Sequence, residues 1–346
     1  MADNWFNFIS SIHGTFNSEQ EISFSSSPPL VSGDCLLTDL SWLGIIEVSG
    51  EDKQTFLQGQ LTNDINSVKQ NTSQLSGLCT PKGRLRALFR IFSAHDKLYL
   101  QLPKPLLEET LKRLKMFVMM SQVELSDVSD SLIRIGLYGT QAEHCLQQYG
   151  LTLPDEVDAV SESKDIQIIR LAGEQARFEC LGEDHKIQAL WQALQDHAQL
   201  INTSQWRLLD IQAGIPNVFS PSKEAFIPQM LNLQALDAIN FKKGCYTGQE
   251  VVARMQYLGK LKRRMYRMHC QRQELPLPNT PLYSESSKSA QGAGHVVDAQ
   301  YSPDGGIELL AVVSNDAVAN NDIYLDEAQQ HPLSTLALPY SLTIEQ

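Results

Sequence analysis

The feature that most constrains the fold is the spacing of apolar residues in the middle of the chain, which changes between the spacing typical of strands and that typical of helices. Alternation of apolar and polar residues predicts a strand, whereas apolar residues three or four positions apart predict a helix. The predicted order is strand, helix, two strands joined as a hairpin, and helix, over residues 132–138, 140–149, 165–171, 176–181 and 185–198. This order resembles half of a split ferredoxin-like unit. We therefore predict an α+β fold.

The segments on either side of this unit differ in their patterning. On the N-terminal side we predict a Ser/Pro-rich arm, a helix, two strands and an amphipathic helix, over residues 23–33, 49–61, 87–92, 97–102 and 105–120. On the C-terminal side, helical periodicity fades from Val251 onward, and prolines and glycines interrupt short alternating runs. These runs predict a small antiparallel barrel or sandwich, with strands at 265–269, 295–297, 307–313 and 323–325.

Composition narrows the class of protein. A chain of 346 residues is expected to divide into two or three domains. Its apolar runs fall short of the roughly 18 residues that a membrane span needs, and its first residues lack the pattern of a signal peptide. Six cysteines are scattered without a CxxC pair, so we expect reduced thiols in a cytoplasmic protein, with neither a disulfide framework nor a metal site.

Charge is distributed unevenly along the chain. The net charge of −12 argues against a general nucleic-acid binder, yet residues 242–267 carry eight lysines and arginines against one acidic residue, Glu250. We call residues 242–267 the cationic strip. Two interpretations stay open: a site for an anionic ligand or partner, and a solvated face without a specific role.

Cys245 is the candidate functional thiol. It lies two residues after Lys243 and between Gly244 and Gly248, in the string KGCYTGQE at 243–250. A nearby lysine stabilises a thiolate, and glycines allow a tight backbone that exposes the sulfur. The alternative is a buried cysteine that acts as a small apolar side chain.

Aromatic side chains offer candidate platforms for a flat ligand. Trp191 fits the apolar stripe of the predicted helix 185–198 and is interpreted as a core residue. Trp42 and Trp206 precede apolar segments, and an indole at either position stacks on a heteroaromatic ring if it is exposed. From the residues alone, burial in the core is the more frequent outcome for both.

Several strings resemble the signature of the YgfZ family, bacterial relatives of the glycine-cleavage aminomethyltransferase, or T-protein. The principal string is INFKKGCYTGQE at 239–250, followed by Val252-Ala253-Arg254. Further matches are FLQGQLTND at 56–64, IQAGIP at 211–216, FIPQ at 226–229 followed by Asn232-Leu233, and LPYSL at 338–342. The resemblance extends from about residue 35 to the C-terminus.

The resemblance implies a T-protein-like ring of three domains around a central folate site. These are a discontinuous folate-binding domain over 30–130 and 201–250, a ferredoxin-like domain over 131–200, and a C-terminal antiparallel β-barrel over 251–346. Two tryptophans are implied to contact the folate. Trp206 matches one of them, while the sequence register before Gly50 places Leu43 at the other position and Trp42 one residue earlier. The implied motif residues are Lys243, Gly244, Tyr246, Gly248, Gln249, Glu250 and Arg254.

The catalytic carboxylate of the aminomethyltransferases is missing. Those enzymes are expected to use an aspartate after a Lys-Gly turn, which here is Lys82-Gly83, but Ala87 and Leu88 occupy the corresponding places. Neither side chain can accept a proton, so glycine-cleavage activity is not expected.

The resemblance instead implies a folate-binding accessory protein that supports iron–sulfur enzymes, including a tRNA methylthiotransferase, with a functional thiol at Cys245. The implied cofactor is tetrahydrofolate or a one-carbon derivative, and the implied protein is a cytoplasmic monomer without a membrane partner. Two alternatives are a folate-dependent one-carbon transferase or demethylase, which needs a carboxylate such as Asp64 or Glu179, and a direct tRNA-binding module.

Overall fold

The computed structural model describes residues 2–25, 35–285 and 292–342, and the statements below refer to these residues. The predicted arm at 23–33 lies mostly outside them. The helices are α1 Ala2–Ser11, α2 Lys53–Gln58, α3 Leu107–Lys115, α4 Ala142–Gln148, α5 Asp184–Leu194, α6 Thr203–Gln212, α7 Gln249–Leu258 and α8 Asn315–Ala319. Single turns of 3-10 helix lie at Ile65–Ser67, Lys104–Leu106, Ser220–Ser222 and Pro228–Leu231.

The strands fall into four sheets. In chain order they are β1 Gly14–Phe16, β2 Ile22–Phe24, β3 Leu36–Asp39, β4 Leu43–Ser49, β5 Ser73–Cys79, β6 Leu85–Ala94, β7 Lys97–Pro103, β8 Glu124–Asp127, β9 Leu132–Tyr138, β10 Val160–Ser163, β11 Ile166–Arg170, β12 Arg177–Glu183, β13 Gln199–Leu200, β14 Arg263–Cys270, β15 Pro281–Leu282, β16 Gly294–Tyr301, β17 Ile307–Ser314 and β18 Ser334–Leu336. The sheet orders are β1-β2, β10-β11-β12-β9-β3-β13, β5-β6-β7-β4-β8 and β15-β16-β17-β14-β18.

The chain forms two compact units. Unit 1 comprises Met1–Leu57, Ile65–Gln74 and Phe89–Trp206, and unit 2 comprises Gln58–Asp64, Leu75–Leu88 and Arg207–Gln346. The predicted ferredoxin-like segment 131–200 belongs to unit 1 and the predicted barrel segment 251–346 to unit 2, whereas the predicted folate-binding segments contribute to both. The division into three domains stays a prediction.

Unit 1 contains the predicted strand–helix–hairpin–helix order, with β10 added before the hairpin. Alternate residues of β9 point to opposite faces of the sheet, and Ile133, Ile135 and Leu137 enter an apolar core with the buried side of α5. That side consists of Ile187, Leu190, Trp191 and Leu194, as the helical periodicity predicted. The core role of Trp191 is confirmed, since its side chain has no exposed surface.

The predicted helix over 105–120 is too long. The structure has a 3-10 turn over Lys104–Leu106 and ends α3 at Lys115. Met119 has a φ of 43°, a left-handed conformation that does not continue a helix, and Met119 and Met120 are 88% and 96% exposed. The apolar spacing continued past the true end of the helix, so the pattern alone gave the wrong boundary.

Unit 2 contains a five-stranded antiparallel sheet in its C-terminal part. Three of the four predicted strands lie within β14, β16 and β17, while the predicted strand at 323–325 contributes two isolated bridges, from Tyr324 to Tyr283 and to Pro332. The expectation that helical periodicity fades at Val251 is wrong, because α7 spans Gln249–Leu258. Val252 is its one buried residue, so this helix has no apolar stripe that a periodicity search could detect.

The α+β fold is as predicted. Among the described residues, no helix combines the length and the apolar character required to cross a membrane.

Candidate functional site: a thiol turn and a polar sheet face

The KGCYTGQE string at 243–250 forms a turn that exposes the Cys245 thiol, and we call these residues the thiol turn. The Asn240 side-chain carbonyl accepts hydrogen bonds from the backbone N–H groups of Lys242 and Lys243, at 2.8 and 3.0 Å, and so reverses the chain. Gly244 and Cys245 are exposed, whereas Tyr246 is buried. Of the six cysteines, Cys245 is the exposed one. The turn therefore presents a thiol to solvent.

The side chain of Lys243 anchors this turn through buried hydrogen bonds. Its ammonium group donates to the backbone carbonyls of Leu61 and Asn63, at 2.7 and 2.8 Å, and lies 5.3 Å from the centroid of the Tyr246 ring. Burial lowers the pKa of Lys243 to about 8, and the negative charge of Asp64 opposes this shift. The ammonium is thus bound to carbonyl oxygens, and its stabilisation of a thiolate at Cys245 stays a prediction.

The segment Gln58–Asp64 is joined to the turn by further hydrogen bonds. Thr62 donates its hydroxyl proton to the carbonyl of Ala238 at 2.8 Å and accepts, through its own carbonyl, the N–H of Asn240 at 3.0 Å. The Asn63 side chain donates to the carbonyl of Asp237 at 2.5 Å. The segment Gln58–Asp64 of the first string and the string at 239–250, which are distant in sequence, are therefore joined by hydrogen bonds within unit 2.

Gly248 permits a close backbone approach behind the turn. Its φ is 86°, and a Cβ at this position would lie 2.4 Å from the carbonyl oxygen of Thr80. Gln249 then begins α7, on which Glu250 and Arg254 are exposed. Glycine is required at 248 both for its conformation and for space.

We expect Gly248→Ala to lower the free energy of unfolding by about 1–3 kcal/mol, because it combines a left-handed conformation with a backbone clash. Gly244→Ala is the matched control, since nothing lies within 4 Å of the position its Cβ would occupy. Urea denaturation of both variants measures the effect. Equal stabilities would contradict the packing described for Gly248.

The cationic strip is divided by the fold. Four of its members are engaged inside unit 2: Lys243 as described, Arg263 with the Gly292 carbonyl, Arg264 with the Leu342 carbonyl and Arg267 with Glu308. The exposed members are Lys242, Arg254, Lys260 and Lys262. The strip is therefore not one continuous charged surface.

The sequence-predicted aromatic contacts are buried in unit 1. Trp42 lies between β3 and β4 and Leu43 begins β4, and their side chains are 3% and 6% exposed. Trp206 is 1% exposed, with the Arg177 guanidinium carbon 4.2 Å from its ring centroid. Gly136 lies against the same indole so closely that a Cβ there would be 2.6 Å from two ring atoms. In this structure, Trp206 packs as a core residue.

The indole of Trp206 packs on a face of the sheet that is polar although it is buried. Gly136 of β9 lies opposite Glu179 of β12 and Thr38 of β3, so these three positions share a face of the sheet. Arg134 is two residues from Gly136 and lies on the same face. We call Thr38, Arg134, Arg177 and Glu179 the polar face; all four side chains are at most 3% exposed.

Several atoms at the polar face have no hydrogen-bond partner among the described residues. Gln101 donates through Nε2 to both carboxylate oxygens of Glu179, at 3.1 and 3.0 Å, yet its own Oε1 is buried and unpaired. Nε and Nη1 of Arg134 are also buried and unpaired. Burial lowers the pKa of Arg134 to about 10, against the attraction of Asp39 and Glu179. Sequence reasoning missed Gln101 and Arg134.

The unpaired atoms at the polar face suit a flat ligand with hydrogen-bonding edges. Each buried polar atom left unpaired costs on the order of 1–3 kcal/mol, so a ligand that pairs them gains stability. Folate carries amide and amine groups on a heteroaromatic ring, and the acceptor at Gln101, the donors at Arg134 and the Glu179 carboxylate match such groups in kind. These hydrogen-bonding groups therefore match those of a folate in chemistry, and because the face is buried, a ligand reaches it only after the side chains that cover it shift.

The chain is similar to known proteins both in sequence and in fold. Residues 29–203 match the GCVT N-terminal domain family. The tRNA-modifying protein YgfZ of Yersinia enterocolitica is 32% identical over 323 residues, covering 92% of this chain and 97% of that protein. Its namesake in Colwellia psychrerythraea is 34% identical over 282 residues, covering 81% and 86%. The fold resembles the glycine cleavage system aminomethyltransferase T of Bartonella henselae, with a TM-score of 0.75, 15% identity and 96% of both chains covered.

Proposed function

Since the chain belongs to the family of the tRNA-modifying protein YgfZ and carries a GCVT N-terminal domain, we propose that it is a folate-binding protein that supports tRNA modification. In this proposal the protein acts as an accessory factor for iron–sulfur enzymes, among them a tRNA methylthiotransferase. Cys245 supplies the functional thiol. The observation that carries the folate proposal is the set of unpaired buried atoms at the polar face.

Within this proposal, the polar face binds tetrahydrofolate or a one-carbon derivative. Glu179 accepts hydrogen bonds from the ligand, while Arg134 and Gln101 pair with its acceptors and donors. Trp206 adds aromatic contact after a shift of its neighbours, and Trp42 and Leu43 shape the surroundings. Bound tetrahydrofolate supplies a carrier of one-carbon groups.

An accessory role is favoured over a transferase by the side chains on β6. Ala87 and Leu88 are buried and apolar, so this strand provides neither a base nor an acid at the positions that the aminomethyltransferases use. Asp64 accepts a hydrogen bond from Gln58 at 2.9 Å, and Glu179 is bound by Gln101. An extended RNA surface along the cationic strip is disfavoured, because half of its cations are engaged within unit 2.

The thiol proposal depends on the exposure of Cys245. Burial raises the pKa values of Cys35, Cys79, Cys180 and Cys270, which keeps those thiols protonated and unreactive. Cys245 is exposed on a turn that Lys243 fixes from inside. An exposed thiol on a rigid turn is suited to contact a partner protein or to accept and pass on a group.

Titration with tetrahydrofolate tests the folate proposal. We expect saturable binding by calorimetry, accompanied by a change in tryptophan fluorescence that Trp206→Phe diminishes. Glu179→Gln is expected to weaken binding by at least about tenfold, because it removes a charged hydrogen-bond acceptor. Glu183→Gln, at an exposed position of the same strand, is the matched control.

Circular dichroism of each variant verifies that the fold is retained. Absence of saturable binding by the wild-type protein, or equal affinities of Glu179→Gln and wild type, would refute the assignment of the polar face to folate.

A further inference from the structure

Unit 2 contains a cavity of about 570 Å³ that the proposed function does not use. Its apolar wall includes Phe226, Leu282 and Val312. Its polar lining is formed by Arg84, Arg263, Asn279, Tyr283 and His295. This volume lies within the range of about 300–1,000 Å³ that is typical of small-molecule sites.

Four polar side chains of the cavity lining carry donor or acceptor atoms that form no hydrogen bond within the described residues. Arg84 uses Nη1 for the carbonyls of Ala225 and Glu224, at 2.5 and 3.3 Å, which leaves its Nε and Nη2 without a partner among the described residues. The side chains of Asn279, Tyr283 and His295 likewise form no hydrogen bond within the described part of the chain. The Asn279, Tyr283 and His295 side chains can each donate a hydrogen bond while neutral, and Arg84 is a charged donor. The cavity therefore suits a ligand that is rich in hydrogen-bond acceptors.

The charge of the lining is positive. Arg84 and Arg263 contribute guanidinium groups, and no aspartate or glutamate occurs among the described lining residues. Arg263 donates to the carbonyl of Gly292 at 2.7 Å. Burial and the positive charge of Arg263 lower the pKa of His295, so His295 acts as a neutral hydrogen-bonding group until an anion offsets that charge. The two guanidinium groups of the lining favour an anionic ligand locally, although the whole chain carries a net charge of −12.

We propose that this cavity binds a phosphate ester with a flat or apolar organic part, such as a nucleotide. Two guanidinium groups and three further polar groups exceed what one carboxylate can accept, whereas a phosphate offers three oxygens. The apolar wall and the ring of Tyr283 accommodate the organic part. The cavity residues belong to unit 2 and the residues of the polar face to unit 1, so different side chains carry the two proposals.

Calorimetric titration with inorganic phosphate, AMP, UMP and a short 5′-phosphorylated RNA tests the proposal. We expect saturable nucleotide binding that Tyr283→Phe and His295→Gln each weaken by about 5–10-fold, as the loss of one hydrogen bond would. Tyr301→Phe, an exposed tyrosine outside the cavity, is the control and is expected to bind as wild type does. Tighter binding of the RNA than of UMP identifies an RNA terminus as the source of the phosphate, and the reverse identifies a free nucleotide.

Tetrahydrofolate is titrated in parallel and is expected to bind Tyr283→Phe and wild type equally. Thermal unfolding confirms that each variant is folded. The proposal is overturned if no phosphate probe binds at millimolar concentration, if the two cavity variants bind as tightly as wild type, or if Tyr283→Phe lowers the affinity for tetrahydrofolate instead.

Discussion

Replacing Lys243 by methionine is expected to lower the free energy of unfolding by about 2–4 kcal/mol, the largest loss of stability expected from any substitution in the thiol turn. The lysine ammonium satisfies two buried carbonyl groups, those of Leu61 and Asn63, and methionine fills similar space without a donor. Both carbonyls would then be buried without a partner. The segment Gln58–Asp64 and the turn would lose the hydrogen bonds that this side chain forms between them.

Lys242→Met is the matched control for this substitution. Lys242 is the preceding residue in sequence, but its side chain is exposed, so its loss is expected to change stability by a few tenths of a kcal/mol at most. Urea denaturation of the wild type and the two variants at pH 7 gives the comparison. A Lys243→Met variant as stable as Lys242→Met would show that the ammonium group does not hold the turn.

The dependence of this effect on pH has a definite sign. The pKa of Lys243 is about 8 in the folded protein, below its ordinary value of 10.5. Between these two pH values the unfolded chain keeps a proton that the folded protein has lost, so stability rises with pH. The difference in unfolding free energy between wild type and Lys243→Met should therefore increase from pH 8 to pH 10.5. A decrease over this window would contradict the buried position of the ammonium.

The elements that the sequence predicted well are those with one apolar face. The strand over 132–138 coincides with β9, and the stripe of α5 was identified residue by residue, because burial of one face imposes a period on the sequence. Helix α7 was missed since it buries Val252 alone. The boundary of α3 was missed because apolar residues continue beyond it and are exposed.

The candidate site was predictable in its position and not in its contacts. The string KGCYTGQE identified Cys245, whose thiol is exposed. Proximity in sequence, however, related the charge of Lys243 to that thiol alone, and the structure shows the side chain bound to carbonyl groups 180 and 182 residues away along the chain. Local spacing does not reveal such contacts, because they depend on how distant segments come together in the fold.

The polar face left a weaker signal in the sequence. Arg134 in β9 and Arg177 and Glu179 in β12 occupy the positions that alternate with core residues, and such polar positions ordinarily indicate a solvent-exposed side of a sheet. The structure buries them instead. Whether the charged residues of the polar face are buried depends on the tertiary fold. The alternating pattern of the strands is the same whether that face is buried or exposed to solvent.

Removing the Cys245 thiol is expected to abolish the activity of the protein in tRNA modification while leaving its fold intact. The side chain is exposed on the turn and contributes little to packing, so Cys245→Ala should unfold at the same urea concentration as wild type. A maleimide reagent should label one thiol per folded wild-type chain and none in the variant, because the other cysteines are buried. Loss of function would then be attributable to the sulfur itself.

The central claim is tested most directly by the level of methylthiolated tRNA in cells that lack the gene and produce wild type, Cys245→Ala or Gly244→Ala at equal protein levels. Gly244→Ala controls for a change in the same turn that adds a side chain into open space. We predict that wild type and Gly244→Ala restore methylthiolation and that Cys245→Ala leaves it at the background of the deletion. Full restoration by Cys245→Ala would contradict the proposed role of the thiol.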